Sequence, residues 1–110
     1  MSMTAEDRIV AEVSSWDGVS TGPGRFGSIR FLVGRRELGH LHGGSLLDLP
    51  LPPERKRELL ADGRVDQHRY TPARSGWVSL RIEDEAGIAA AIELLREQHE
   101  RAIRRQSPAA

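Results

Sequence analysis

Apolar and polar residues alternate in short segments that glycine or proline interrupts, and this pattern constrains the fold most strongly. A period of two is typical of a strand with one buried face. With 11 Gly and 6 Pro among 110 residues, no such segment is long. The pattern predicts strands in antiparallel hairpins at residues 29–33, 37–42, 45–49, 65–70 and 77–82, and a loop at Thr21–Gly24.

Three further segments have helical periodicity. Thr4 precedes a helix predicted over 5–16, Pro53 begins a second that ends near Ala61, and Asp84 caps a last helix. The predicted element order is α-β-β-β-α-β-β-α. We therefore expect one α+β domain over residues 1–110, ordered at about 5–104 and frayed over 105–110, in which a single antiparallel or mixed sheet of about five strands packs against the terminal helices.

A chain of this length buries about two thirds of its unfolded surface, which is enough for one core. The spacing of apolar residues predicts which side chains form it. They are Ile29, Phe31, Val33, Val78, Leu80, Ile82, Ile88, Ile92 and Leu95. His99 falls on the apolar stripe of the last helix and is also expected in the core.

Composition limits location and partners. The chain has no cysteine, which excludes disulfides and thiolate sites. No apolar stretch approaches the ~20 residues of a membrane helix, and the acidic opening does not resemble a signal peptide, so we expect a cytoplasmic protein without a membrane partner. Net charge is +0, and no groove-reading helix or RNA-binding signature accompanies the arginines, so nucleic acid is not the expected partner.

Two histidines carry the clearest chemical pattern. His40 and His42 lie one residue apart on a predicted strand, which places both rings on one face with Cα atoms about 6.5–7 Å apart. That geometry can hold zinc or another divalent metal. His68, Asp66 and Asp48 on neighbouring strands are the candidates for further ligands. A hydrogen-bonded structural pair and a site for a polar or anionic ligand remain alternatives.

We expect these histidines to share one accessible face with other polar and aromatic groups. The predicted ligand-binding residues are His40, His42, His68, Trp77 and Arg69, and the predicted metal ligands are His40 and His42. Residues 25–81 contain eleven basic against six acidic side chains, which is typical of an ordinary solvated surface and leaves an anion-binding face as the alternative. No catalytic residue is identified, no cofactor is predicted, and the expected state is a monomer or weak homodimer.

Four segments carry a family resemblance: GRRELGHLHG (34–43), LLDLPLPPERKREL (46–59), GRVDQHRY (63–70) and SGWVSLRI (75–82). In this order they resemble the small bacterial luciferase-family domains, over about residues 16–103. More distantly the chain is similar to the YjbR-like family. That resemblance implies a double-wing-like sheet with helices on one side, and neither family implies a catalytic residue.

The residues themselves do not support luciferase activity. Five aromatic residues, little expected room for a large pocket and no flavin or nucleotide motif offer no means of oxidising a large organic substrate. The expected function is binding of a small polar or anionic ligand or of a partner protein. The alternatives are a metal-dependent enzyme that uses His40 and His42, and an interaction module that uses a sheet edge or the helix at 53–61. The sequence leaves open whether the chain is an enzyme.

Overall fold

The computed structural model describes residues 2–106. Within them the chain forms a single antiparallel sheet in the order β1-β2-β3-β4-β6-β5. The elements are α1 (Ala5–Ser14), β1 (Val19–Pro23), β2 (Ile29–Val33), β3 (Arg36–His42), β4 (Leu46–Pro50), α2 (Pro53–Ala61), β5 (Asp66–Gln67), β6 (Trp77–Arg81) and α3 (Glu85–Gln106). The predicted α+β class is confirmed, with one strand more than expected.

Two strand predictions are wrong. The expected loop at Thr21–Gly24 is largely strand β1, which pairs with β2 at the edge of the sheet. An edge strand tolerates Pro23 because one side of it needs no ladder hydrogen bonds. The expected strand at 65–70 shrinks to Asp66–Gln67, since the chain leaves the sheet at His68 and turns.

Local signals account for the helix boundaries. The Thr4 hydroxyl accepts the Asp7 N–H at 3.0 Å, and the Asp7 carboxylate accepts the Thr4 N–H at 3.2 Å, which closes a capping box before α1. α1 ends at Ser14, two residues earlier than expected, whereas α2 has the predicted bounds. The chain was expected to fray over 105–110, but α3 continues to Gln106 and so includes Arg105. The rest of that range, 107–110, lies outside the described residues.

The core lies between one face of the sheet and helices α1 and α3. Seven of the nine predicted core residues are buried. Ile29 and Ile92 are only half-buried, because Ile29 begins β2 and Ile92 lies at the surface beside Arg8 and Arg96. His99 is also half-buried rather than enclosed, with Nε2 2.7 Å from the Asp17 carbonyl oxygen.

The helices between residues 2 and 106 are too short or too polar to cross a membrane. The opposite face of the sheet carries polar side chains.

Candidate functional site

Strand register places a row of polar side chains across the uncovered face of the sheet. Arg30 pairs with His40, His40 with Asp48, and Asp48 with Ser79. Directly paired residues in a sheet point to the same face, and His42, two residues from His40, points the same way. Four strands therefore deliver their side chains to one place.

The Asp48 carboxylate is the centre of this place. Asp48 is only 3% exposed. Its Oδ2 lies 3.2 Å from Nε2 of His40, 3.0 Å from Nε2 of His42 and 3.3 Å from Nε2 of His68. Its Oδ1 accepts a hydrogen bond from the Ser79 hydroxyl at 2.6 Å. The buried charge is thereby surrounded by donors, as buried carboxylates require.

His68 reaches the carboxylate from the turn after β5, and its tautomer follows from its neighbours. The backbone N–H of Tyr70 donates to Nδ1 of His68 at 3.2 Å. A backbone N–H can only donate, so Nδ1 is unprotonated and the ring hydrogen sits on Nε2, which faces Asp48. His68 is therefore a hydrogen-bond donor in the cluster and not an equivalent of the other two rings.

A β-bulge adds Glu37 to the site. The register between β2 and β3 shifts at Phe31/Leu32, which leaves Leu38 without a partner. Because one extra residue reverses the alternation, Glu37 comes to the same face as His40. Its Oε2 lies 3.5 Å from Nδ1 of His40, and its Oε1 accepts from Nε of Arg30 at 2.7 Å.

These contacts shift the pKa values of all three charged partners. Hydrogen bonds to Asp48 and then to Glu37 raise the pKa of His40 from 6.5 to about 9. Burial alone would raise the pKa of Asp48, but the hydrogen bonds from His40 and Ser79 outweigh it and lower that pKa to about 2. The hydrogen bond with His40 is also the main reason that the pKa of Glu37 is lowered.

The cluster forms the floor of an open groove with a volume of about 1380 Å³. This contradicts the expectation of little room, because the site face of the sheet is not covered by a helix. Trp77 forms a wall, with its ring centroid 5.0 Å from that of His40 and 6.1 Å from that of His68. Arg69 lines the rim.

The structure thus brings His40, His42 and His68 together beside Trp77, with Arg69 on the rim of the same groove. That these residues bind a ligand stays a prediction. Asp66 pairs with Ser79 and lines the groove, but its Oδ2 lies 3.5 Å from Nε of Arg81, and it is not part of the group that could hold a metal ion. Sequence reasoning named Asp48 only as one candidate among several and missed Ser79 and Glu37. Alternation with Trp77 could have placed Ser79 on this face, whereas no periodic signal marks the bulge before His40.

The donor set of His40, His42 and Asp48 fits a divalent metal ion. Their three ligand atoms lie within 4.8 Å of one another. Two ligands of a tetrahedral zinc ion, at bonds of about 2.0–2.2 Å, lie about 3.3–3.5 Å apart. The nitrogen-to-oxygen distances of 3.2 and 3.0 Å are close to that spacing. Glu37 on His40 and Ser79 on Asp48 are suitable outer partners that orient such ligands.

Comparisons with known proteins give a family and no individual relative. Neither a search of curated proteins nor a search of solved structures finds a match. A relationship to the YjbR-like family is not shown and stays a prediction. The family model of the luciferase domain matches residues 35–98, more than half of the chain, and this range contains the three histidines, Asp48 and Trp77. The chain belongs to the luciferase domain family.

Proposed function

We propose that the domain binds a divalent metal ion through His40, His42 and Asp48 and, through that ion, a small polar or anionic ligand in the groove. The observation that supports this most is the meeting of two imidazole nitrogens and one buried carboxylate oxygen on the floor of an open groove. Two histidines and one carboxylate form a common ligand set for zinc and for non-haem iron.

Three protein ligands favour a metal-dependent enzyme over a structural metal site. Structural zinc is normally enclosed by four protein ligands, whereas catalytic sites keep a position open. His68 is not counted as a fourth ligand, because a metal ion on its Nε2 would place the ring hydrogen on Nδ1, which already accepts the Tyr70 N–H. An ion held by these three ligands would leave a coordination position open to the groove. A bound ion would act there as a Lewis acid on an oxygen group of the ligand.

A second candidate is direct binding of an anion without metal. With a pKa of about 9, His40 is protonated at neutral pH in the metal-free protein. Arg25 and Arg69 line the rim of the groove. These cations would attract a phosphate or carboxylate, although Asp48 and Glu37 at the floor oppose it.

Calorimetric titration of chelator-treated protein with zinc tests the proposal. We expect one zinc ion per chain. His42→Ala removes a ligand and Asp48→Asn removes the ligand charge, so both variants should lose saturable binding. The matched controls are His99→Ala and Asp62→Asn, at positions outside the cluster, and both should bind zinc as the unaltered protein does. Far-UV circular dichroism verifies that each variant is folded.

The same proteins separate the two candidates. If zinc does not bind, or binds equally to the His42→Ala variant, the metal site is refuted. Titration with inorganic phosphate in the presence of chelator then decides the second candidate. Saturable phosphate binding under those conditions would support the metal-free anion site, and its absence would reject that site.

A further inference from the structure

Two exposed aromatic side chains line the groove above the cluster. Phe26 is 93% exposed and Tyr70 is 82% exposed. Met3 is the only other large apolar residue of comparable exposure among residues 2–106, and it lies outside the groove. Single exposed apolar residues are ordinary, but two that share one groove mark a surface for a ligand.

The backbone holds Phe26 in an unfavourable conformation. Its φ of 57° and ψ of 33° are left-handed, a conformation that is rare and unfavourable for a bulky side chain. The Gly24 N–H donates to the Ser28 carbonyl at 2.8 Å and the Ser28 N–H donates to the Arg25 carbonyl at 3.1 Å, so a closed loop imposes this conformation. Retained strain of this kind is typical of ligand clamps.

Tyr70 lines the same groove, and the loop that follows it is anchored. Lys56, only 7% exposed, donates from Nζ to the carbonyl of Ala73 at 2.7 Å and to that of Ser75, which fastens the loop after Tyr70. The Tyr70 ring lies edge-on to His68 with centroids 6.3 Å apart. An aromatic surface therefore continues from Tyr70 down to the cluster.

An arginine directly precedes Phe26 and Tyr70 in the sequence. Arg25 and Arg69 are exposed and line the same groove. Within the described part of the chain, neither guanidinium lies within 4.0 Å of a carboxylate, in contrast to Arg30 and Arg81. The entrance thus offers two apolar surfaces and two cations, which together complement an anion with an apolar body.

We propose that Phe26 and Tyr70 are specificity residues for an amphipathic organic acid, whose apolar body rests between the two rings while its carboxylate reaches the cluster. The part of this inference that concerns the carboxylate depends on the proposed metal site. The apolar end depends only on the two rings and can be tested independently.

Ligand-observed NMR titrations of the zinc-loaded protein with 2-naphthoate and acetate test this inference. We expect 2-naphthoate to bind at least about tenfold more tightly, because burial of an apolar ring surface stabilises only the larger acid. Phe26→Asn keeps a residue that tolerates the left-handed backbone. Phe26→Asn and Tyr70→Ser should each reduce the preference severalfold, and the double variant should abolish it, with acetate and zinc affinities unchanged. Met3→Ser is the matched control and should keep the full preference.

The inference is overturned by no preference in the unaltered protein, by a preserved preference in the double variant, or by equal weakening of both acids. If the double variant changes only the sedimentation coefficient, the two rings serve contact with a second copy and the inference is also wrong. A failure of the proposed metal site can be distinguished from a failure of this inference, because the comparison of 2-naphthoate with acetate can be repeated in the presence of chelator. A preference that persists there upholds the two rings without the metal, and no naphthoate binding in either condition refutes them.

Discussion

At the scale of single residues, Asp48 determines the character of the site. Its carboxylate is buried, and Nε2 atoms of three histidines lie within 3.3 Å of one oxygen. An isolated buried charge would be strongly unfavourable, so these donors stabilise the ionised form. In the metal-free protein His40 supplies a proton between two carboxylates, those of Asp48 and Glu37.

The stability of the metal-free protein should depend on pH through this residue. The pKa of His40 is about 9 in the folded state and 6.5 ordinarily, so its contribution is present below about pH 6.5 and is lost as pH rises to about 9. We expect the difference in unfolding free energy between the unaltered protein and His40→Gln to shrink over this range in urea denaturation. A difference that stays constant or grows with pH would contradict the assigned contacts.

Acid should also reduce the stabilisation that the cluster provides, because it protonates the Asp48 carboxylate. The pKa of Asp48 falls from 3.8 to about 2, so the stabilisation is present above about pH 3.8 and is lost as pH falls towards 2. The His40 and Asp48 effects share one interaction and should not be added. The cluster should therefore stabilise the metal-free protein most between about pH 4 and 6.5.

Part of this site was predictable from residue spacing. A period of two placed His40 and His42 together, and His68 and Asp48 were named as further ligand candidates. The central role of Asp48 depends on its register with both His40 and Ser79, which spacing within one strand cannot specify. Glu37 was not predictable, because only the bulge at Leu38 turns it onto the site face.

At the scale of elements, α3 supports the strands that carry the site. Gln98 of α3 is 7% exposed and donates from Nε2 to the carbonyl of Leu38 at 3.2 Å and to that of Pro50 at 2.6 Å. One side chain thus connects the bulge with the end of β4. Gly39, beside the bulge, has no room for a side chain, since a Cβ there would lie 2.8 Å from the Asp48 carbonyl oxygen.

Gln98→Leu should lower the free energy of unfolding by about 1–3 kcal/mol, because it removes the donor from these carbonyls. The matched control is Glu100→Leu on the exposed side of the same helix, where we expect a change within about 0.5 kcal/mol. Urea denaturation measures both. Equal effects of the two substitutions would show that the Gln98 bonds contribute nothing specific.

Leu95→Ala should cost ~2–5 kcal/mol of unfolding free energy, because Leu95 is 0% exposed in the core below the sheet. Arg105→Ala, at the exposed end of α3, should change it by no more than about 0.5 kcal/mol. Chemical denaturation midpoints that reverse this order would show that α3 packs through a different face.

Helices and strands were predicted correctly where local sequence signals were strong. The predictions failed where pairing with another strand determines whether a segment is a strand. Pro53 and the residues after it specified α2 to its last residue. β1 was missed because a Gly- and Pro-containing segment becomes a strand only through its pairing with β2. β5 was overextended because the turn that brings His68 to Asp48 leaves no periodic pattern.

At the scale of the whole molecule, the sheet separates the apolar core from the site. Its helix-facing side holds the apolar core, and its other side holds the groove and the cluster. Substitutions of His42 and of Phe26 should therefore leave the fold intact, which makes the metal and ligand tests interpretable. The coarse architecture was predictable because the spacing of apolar residues indicates which side chains are buried. That spacing does not indicate which polar side chains from different strands meet on the uncovered face of the sheet.

Anomalous diffraction from a zinc-soaked crystal is the most direct test of the proposed metal site. The predicted result is one peak per chain, about 2.0–2.2 Å from Nε2 of His40, Nε2 of His42 and Oδ2 of Asp48, with an open position towards the groove. A peak elsewhere, a peak held by His68 in place of Asp48, or no peak while the three side chains keep their direct hydrogen bonds would contradict the account.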